Sequence, residues 1–217
     1  MEPPTPPTTP PTPLNGRRAQ AARNDPLILE AARAVFVADP GAPIAAVAAR
    51  AGVGIGALYR RYASKEALLQ QLSLDTLHTY NAAAEAALAD VGDPWAAFTH
   101  FMRRCLDAGA SALTVRLAGT FTATDDVRRA GHTARELTRR LIDRSIAAGV
   151  LRPDITVGDL SLLFEQLQAV QVGDPRRAGQ LRHRYLALLL DALHAPAAAP
   201  LPGPAPDWDE ISHRWDT

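Results

Sequence analysis

Apolar residues recur at spacings of three and four along most of this chain, and no stretch alternates apolar and polar positions long enough to make a strand. The fold is therefore expected to be all-α, with about nine helices. Ile28, Ala31, Ala32, Val35 and Phe36 mark a first helix, with Asp25 as its expected cap and Pro26 as a first-turn proline, ending near Asp39-Pro40-Gly41. A short second helix begins around Pro43 and presents Ile44, Val47, Ala48 and Ala51 on one face. Gly52 stops it, because glycine enters the left-handed turn without strain. A third helix runs from Ile55 to about Tyr62, and Ser64 caps a fourth that opens Lys65-Glu66-Ala67 and continues through Leu74, Leu77 and Leu88. Gly92-Asp93-Pro94 restarts the chain into a helix bearing Trp95, Phe98, Phe101, Met102, Cys105 and Leu106. Further helices are expected over residues 113–121, 125–148, 157–172 and 175–194.

The two ends lack this period. Residues 1–16 are dominated by Pro and Thr, a composition that favours extended polyproline and packs no core, so a disordered tail is expected. Arg17, Arg18 and Arg23 follow it, a basic stretch that reads either as an arm along a DNA groove or as a solvated linker. Residues 195–217 form an Ala- and Pro-rich tail whose Trp208 and Trp215 are expected to dock on the body. Between the tails the pattern divides into an N-terminal unit, 17–71, and a larger helical unit, 72–194.

Composition narrows the chemistry. With 217 residues, 47% of them hydrophobic, the chain can bury a full core without staples. The single cysteine, Cys105, excludes an intramolecular disulfide and any Cys-rich metal site, and reads as a small buried apolar residue rather than a redox sensor. No apolar run approaches the roughly 20 residues that span a bilayer, so no membrane partner and a cytoplasmic location are expected. The net charge of zero hides an asymmetry. Residues 17–65 hold eight basic and three acidic side chains, a net +5, whereas residues 66–217 hold 15 basic and 19 acidic ones, a net −4. A basic first quarter on an acidic remainder suggests one module that meets phosphate and another with a different task. No Ser-His-Asp cue, Gly-rich phosphate loop, HExxH pair or metal-spaced His/Cys cluster occurs, so neither enzymatic activity nor a cofactor nor a metal is expected.

Two short helices joined by a glycine turn and preceded by a longer one make the arrangement that delivers a helix into the major groove. Residues 44–69, IAAVAARAGVGIGALYRRYASKEALL, resemble the helix-turn-helix of the TetR family of transcriptional regulators. The likeness lies in the Ala-Gly-Val turn, the Leu-Tyr pair, the aromatic at Tyr62 and the Ser-Lys-Glu that opens helix four. It implies that Tyr59 and Lys65 hold phosphates, and that Ile55, Gly56, Arg60 and Arg61 face base edges or the flanking backbone. Arg50, Gly54 and Ala57 complete the expected DNA-contacting set. The sequence departs from the family at Gly54, where a Ser or Thr is usual, and at Pro43, where a Thr is common. Both changes give up a hydroxyl contact; Gly54 keeps its backbone N–H, whereas Pro43 has none and leaves only the amides that follow it.

For the remainder, the resemblance implies an effector-binding and dimerisation bundle. Its expected pocket lining is Trp95, Phe98, Phe101, Met102, Arg116, Phe121, Phe164 and Gln168, against which stands the reading that an aromatic stripe is solid core. His100 and His132 read as ligands or as ordinary exposed histidines. Leu160, Leu163, Phe164, Leu167, Val170, Leu181, Tyr185, Leu188 and Leu189 on the last two helices imply a homodimer. The expected protein is a repressor that leaves a palindromic double-stranded operator when a small-molecule effector binds. Control by a protein partner is the alternative, with an enzyme or small-molecule carrier a more distant one.

Overall fold

The computed structural model describes residues 14–109, 117, 119–196 and 199–212, with side chains described from Asp25 onward. Among the described residues it is helical with no strand: α1 (Leu14–Ala38), α2 (Ile44–Ala51), α3 (Ile55–Arg61), α4 (Lys65–Ala89), α5 (Pro94–Ala108), α6 (Asp125–Ala147), α7 (Val157–Gln168), α8 (Pro175–Leu193) and α9 (Trp208–Ser212). The all-α architecture is as the periodicity requires. The helix expected over 113–121 falls mostly outside the described residues; Leu117 is helical and Phe121 lies in a bend after it.

Several boundaries follow from local chemistry. Gly52 ends α2 in the left-handed conformation, φ 65°, and returns its N–H to the carbonyls of Ala48 and Ala49. Ser64 Oγ accepts from the Ala67 amide and starts α4. Asp93 caps α5 ahead of Pro94, and Thr156 and Asp159 form a reciprocal capping box on α7. The expected start of α1 is corrected. The helix begins at Leu14, inside the stretch assigned to the tail, and passes through Pro26. The residues from Arg17 to Arg23 are mostly strong helix formers, and their propensity carries the helix across a proline that forfeits one backbone bond. Asp25 does not cap α1, since it lies inside the helix, and its carboxylate accepts from Arg61.

Two hydrophobic cores form. The first unites Ile28, Ala32, Phe36, Ile44, Val47, Leu58, Tyr62, Leu68, Leu69 and Leu72 with Leu117 and Phe121. The second, in the body, gathers Phe98, Phe101, Met102, Cys105, Leu141, Leu151, Leu160, Phe164, Leu186 and Leu190. Helix α4 belongs to both, with Leu68, Leu69 and Leu72 in one and Ala83, Ala84 and Ala87 in the other. It runs parallel to α6: Gln70 meets Thr122 at one end and Leu88 meets Arg144 at the other, with Asn81 on Ala130 and Tyr80 on Thr138 between them. The C-terminal segment folds back on the body. Arg152 pairs with Asp154 and donates to Ala192 O and Ala199 O, while Asp154 accepts from the Leu201 amide. Gly158 lets the Pro206 carbonyl approach to 2.8 Å of where a Cβ would stand, and Trp208 stacks on Arg135. No helix among the described residues is long and apolar enough to cross a membrane.

Candidate nucleic-acid interface

Helix α3 divides cleanly by face. Leu58 and Tyr62, one turn apart, are buried in the first core, and the side chains between and before them reach the surface. Ile55 and Tyr59 are 44% and 49% exposed. Gly56 and Arg60 are exposed beside them. Arg60 lies back along the helix, its Nη1 3.6 Å from where a Gly56 Cβ would stand, an ordinary van der Waals separation. Ala57 is half-buried, and Arg50 is exposed in the last turn of α2. At the N-terminus of α3, Gly54 adopts an extended conformation and caps with its backbone alone, in open space.

The other two cations have partners. Arg61 Nε lies 2.7 and 2.8 Å from the carboxylate oxygens of Asp25 on α1, and its guanidinium sits over the Tyr62 ring at 5.3 Å. Asp25 raises the Arg61 pKa through this hydrogen bond. Tyr62, whose hydroxyl is buried without a partner, is raised mainly by burial. Arg61 is thus a strut between α3 and α1, which turns it away from the face formed by Ile55, Gly56, Tyr59 and Arg60. Lys65 is half-buried. Its Nζ donates to the Pro40 carbonyl at 2.9 Å and lies 5.2 Å from the Phe36 ring, which pins the start of α4 to the α1–α2 loop. An ammonium has three donors, so this contact leaves others for an anion.

In the body, Phe98, Phe101, Met102 and Phe164 come together fully buried, and Trp95 packs on the same core, stacked on Phe98 at 5.7 Å and edge-on to His194 at 4.5 Å. Gln168 is buried and donates to Leu106 O. Phe121 stands apart from this group, in the first core with Leu117. The Thr122 backbone is held on both sides, its amide by Glu66 and its carbonyl by Gln70, and that turns the segment toward the N-terminal half of α4. Arg116 lies outside the described residues. His100 and His132 are exposed. Burial pushes the Cys105 thiol well above its ordinary pKa, which keeps it protonated and unreactive. Asp25, Phe36, Pro40 and Thr122 escape sequence reasoning, since each acts through a partner distant in the chain.

A short exposed helix, set by a glycine turn on a three-helix unit with cations on its rim and carried by a long helix into a separate bundle, defines a helix-turn-helix DNA-binding regulator. Residues 28–72 match the profile described as "Bacterial regulatory proteins, tetR family", and residues 93–195 the one described as "Transcriptional regulator SbtR-like, C-terminal domain". The chain belongs to the TetR family of transcriptional regulators. Among solved structures it is similar to the TetR regulator SCO0520 of Streptomyces coelicolor, with 28% identity over 79% of this chain and 98% of that one, TM-score 0.55. A TetR regulatory protein of Mycobacterium vanbaalenii shares 27% identity over 82% and 99% of the two chains, TM-score 0.54. LfrR of Mycobacterium smegmatis, solved with proflavine, shares the fold at 22% identity over 83% and 99%, TM-score 0.61. No curated protein matches the sequence.

Proposed function

We propose that this regulator is a homodimeric repressor whose two α3 helices enter successive major grooves of a palindromic operator, and which a small-molecule effector bound in the body releases. The observation that carries the reading is the outward face of α3. Ile55, Gly56, Tyr59 and Arg60 stand exposed while Leu58 and Tyr62 hold the helix in place. Arg60 offers the fork that matches guanine O6 and N7, and Tyr59 a hydroxyl for phosphate. Lys65 stays in the phosphate-binding set, at the positive end of α4. With Arg61 committed to Asp25, Arg60 is the foremost specificity residue.

Dimerisation is supported by the last helices. Tyr185 and Leu188 on α8 and Val172 before it are 44%, 57% and 60% exposed, an apolar surface that a second copy would cover. A twofold pair places the two α3 helices about 34 Å apart, one turn of B-DNA. An effector acts only through different affinities for the two arrangements of the dimer, and a tenfold loss of operator affinity needs about 1.4 kcal/mol of coupling. The aromatic cluster around Trp95 and Phe98 is the proposed place for it; LfrR, which shares the fold, was solved with the small molecule proflavine.

Selection of duplexes from a randomised pool tests the reading. The selected sequence is expected to be an inverted repeat. Tyr59→Ala is expected to weaken binding to every sequence alike, whereas Arg60→Ala is expected to relax preference at one position per half-site at a cost of about 1–3 kcal/mol on the selected duplex. Wild-type protein that enriches no sequence, or an Arg60 variant with unchanged preference, would overturn it.

A further inference from the structure

The last turn of α5 meets three other helices through three consecutive residues. The carbonyl of Leu106 accepts from Gln168 on α7. Asp107 pairs with His183 on α8, Oδ1 to Nε2 2.7 Å. The carbonyl of Ala108 accepts from Nη1 of Arg33 on α1 at 3.0 Å. Helix α8 carries the proposed dimer surface, and α1 is packed into the unit that presents α3. One helical turn therefore joins the twofold interface to the DNA-reading unit.

Arg33 is the part of this joint that reaches across. The final carbonyls of a helix have no donor within it and bear its partial negative charge. Gly109, left-handed at φ 59°, sends its own N–H back to the Cys105 and Leu106 carbonyls, so the Ala108 carbonyl is met from outside, by a guanidinium. Nη2 of the same side chain reaches Asp75 Oδ2 on α4 at 3.3 Å. Arg33 Nε is buried without a partner, a cost of about 1–3 kcal/mol that the contacts of the two terminal nitrogens have to offset. Three helices thus converge on one planar group, whose fork fixes direction as well as distance.

We propose that Arg33 is a positioning residue for the DNA complex: by capping α5 from α1 it sets the angle at which the reading unit leaves the body, and so the separation of the two α3 helices in the dimer. A shift of the α5 end moves α1 directly, by a route separate from the length of α4. The proposal rests on the dimeric, operator-binding reading given above.

The test uses full-length protein and the duplex selected by the wild type, with the spacer between half-sites lengthened and shortened by one base pair. Wild-type affinity is expected to fall about tenfold with either change, whereas for Arg33→Met the fall shrinks to about threefold or less, the binding angle being no longer fixed. The salt dependence of binding stays at the wild-type slope, since Arg33 touches no phosphate. Arg33→Lys, which keeps the charge and loses the fork, falls between the two. Asp75→Asn, which leaves the Ala108 contact in place, gives a smaller flattening and supplies the answer if Arg33→Met does not fold. Spacing profiles as steep as wild type in these variants, with affinity lowered uniformly, would mark Arg33 as a brace and overturn the proposal. Failure of the wild type to select any inverted repeat instead removes the operator reading, and this inference with it.

Discussion

Glycine at position 54 leaves α3 capped by backbone alone, and its extended conformation with open space around the missing Cβ admits a side chain without strain. Gly54→Ser is expected to raise stability by about a few tenths of a kcal/mol through a hydroxyl cap, and to tighten binding to all duplexes alike by adding a phosphate donor, checked by thermal denaturation and by affinity for selected and unrelated DNA. Lys65 shows the reverse situation, a cation that sequence assigns to phosphate and that the fold also employs against Pro40 and Phe36. The outward set on α3 was legible through the family resemblance, which assigns Ile55, Gly56, Tyr59 and Arg60 to DNA, and all four positions are exposed. The commitment of Arg61 to Asp25, 36 residues away, was not. A helical period says which face a residue occupies and nothing about the partner opposite.

Among elements, the segment at residues 117–123 alters the division of the chain most. Leu117 and Phe121 lie far along the sequence from the three N-terminal helices and yet complete their core. Phe121→Ala is expected to destabilise the DNA-reading unit by about 3–5 kcal/mol, read as faster amide exchange in α2 and α3 while the exchange of α7 and α8 stays unchanged. The same result would explain why a boundary after residue 71 separates elements that share one core. Phe121 reads as a pocket residue in the sequence because an aromatic near a helix end carries no mark of which core it enters. Glu66 and Gln70, which hold both backbone groups of Thr122, keep the segment beside α4 once Phe121 is packed there.

For the whole molecule, the exposed apolar surface of α8 and the returning C-terminal segment give separate expectations. Leu188→Glu is expected to convert the proposed dimer to monomer and to abolish operator binding while leaving helix content intact, as measured by sedimentation and by circular dichroism. The Arg152 guanidinium and the Leu201 amide hold the Asp154 carboxyl well below the ordinary carboxylate range. A group depressed in this way stabilises the folded state above its unfolded pKa, roughly 3.9, and the contribution fades as pH drops below that. The segment from Ala199 onward is therefore expected to stay docked at neutral pH and to loosen only in acid below about pH 4, whereas Asp154→Asn loosens it at every pH. Protection of the Leu201 amide against exchange measures both.

Local chemistry was sufficient for the helices and many of their ends. Apolar spacing, the Ser64 and Asp93 caps and the left-handed Gly52 act within a turn or two of themselves, so their consequences are written in neighbouring residues. The family resemblance rests on the same short range, a single stretch with fixed offsets. What packing alone decided spans larger distances: whether Asp25 caps its helix or holds Arg61, which core receives Phe121, and how Arg33 comes to cap a helix 75 residues further on. Such pairings depend on how whole helices are laid against one another, and the energy that settles them, burial shared over many side chains, belongs to no single stretch of the chain.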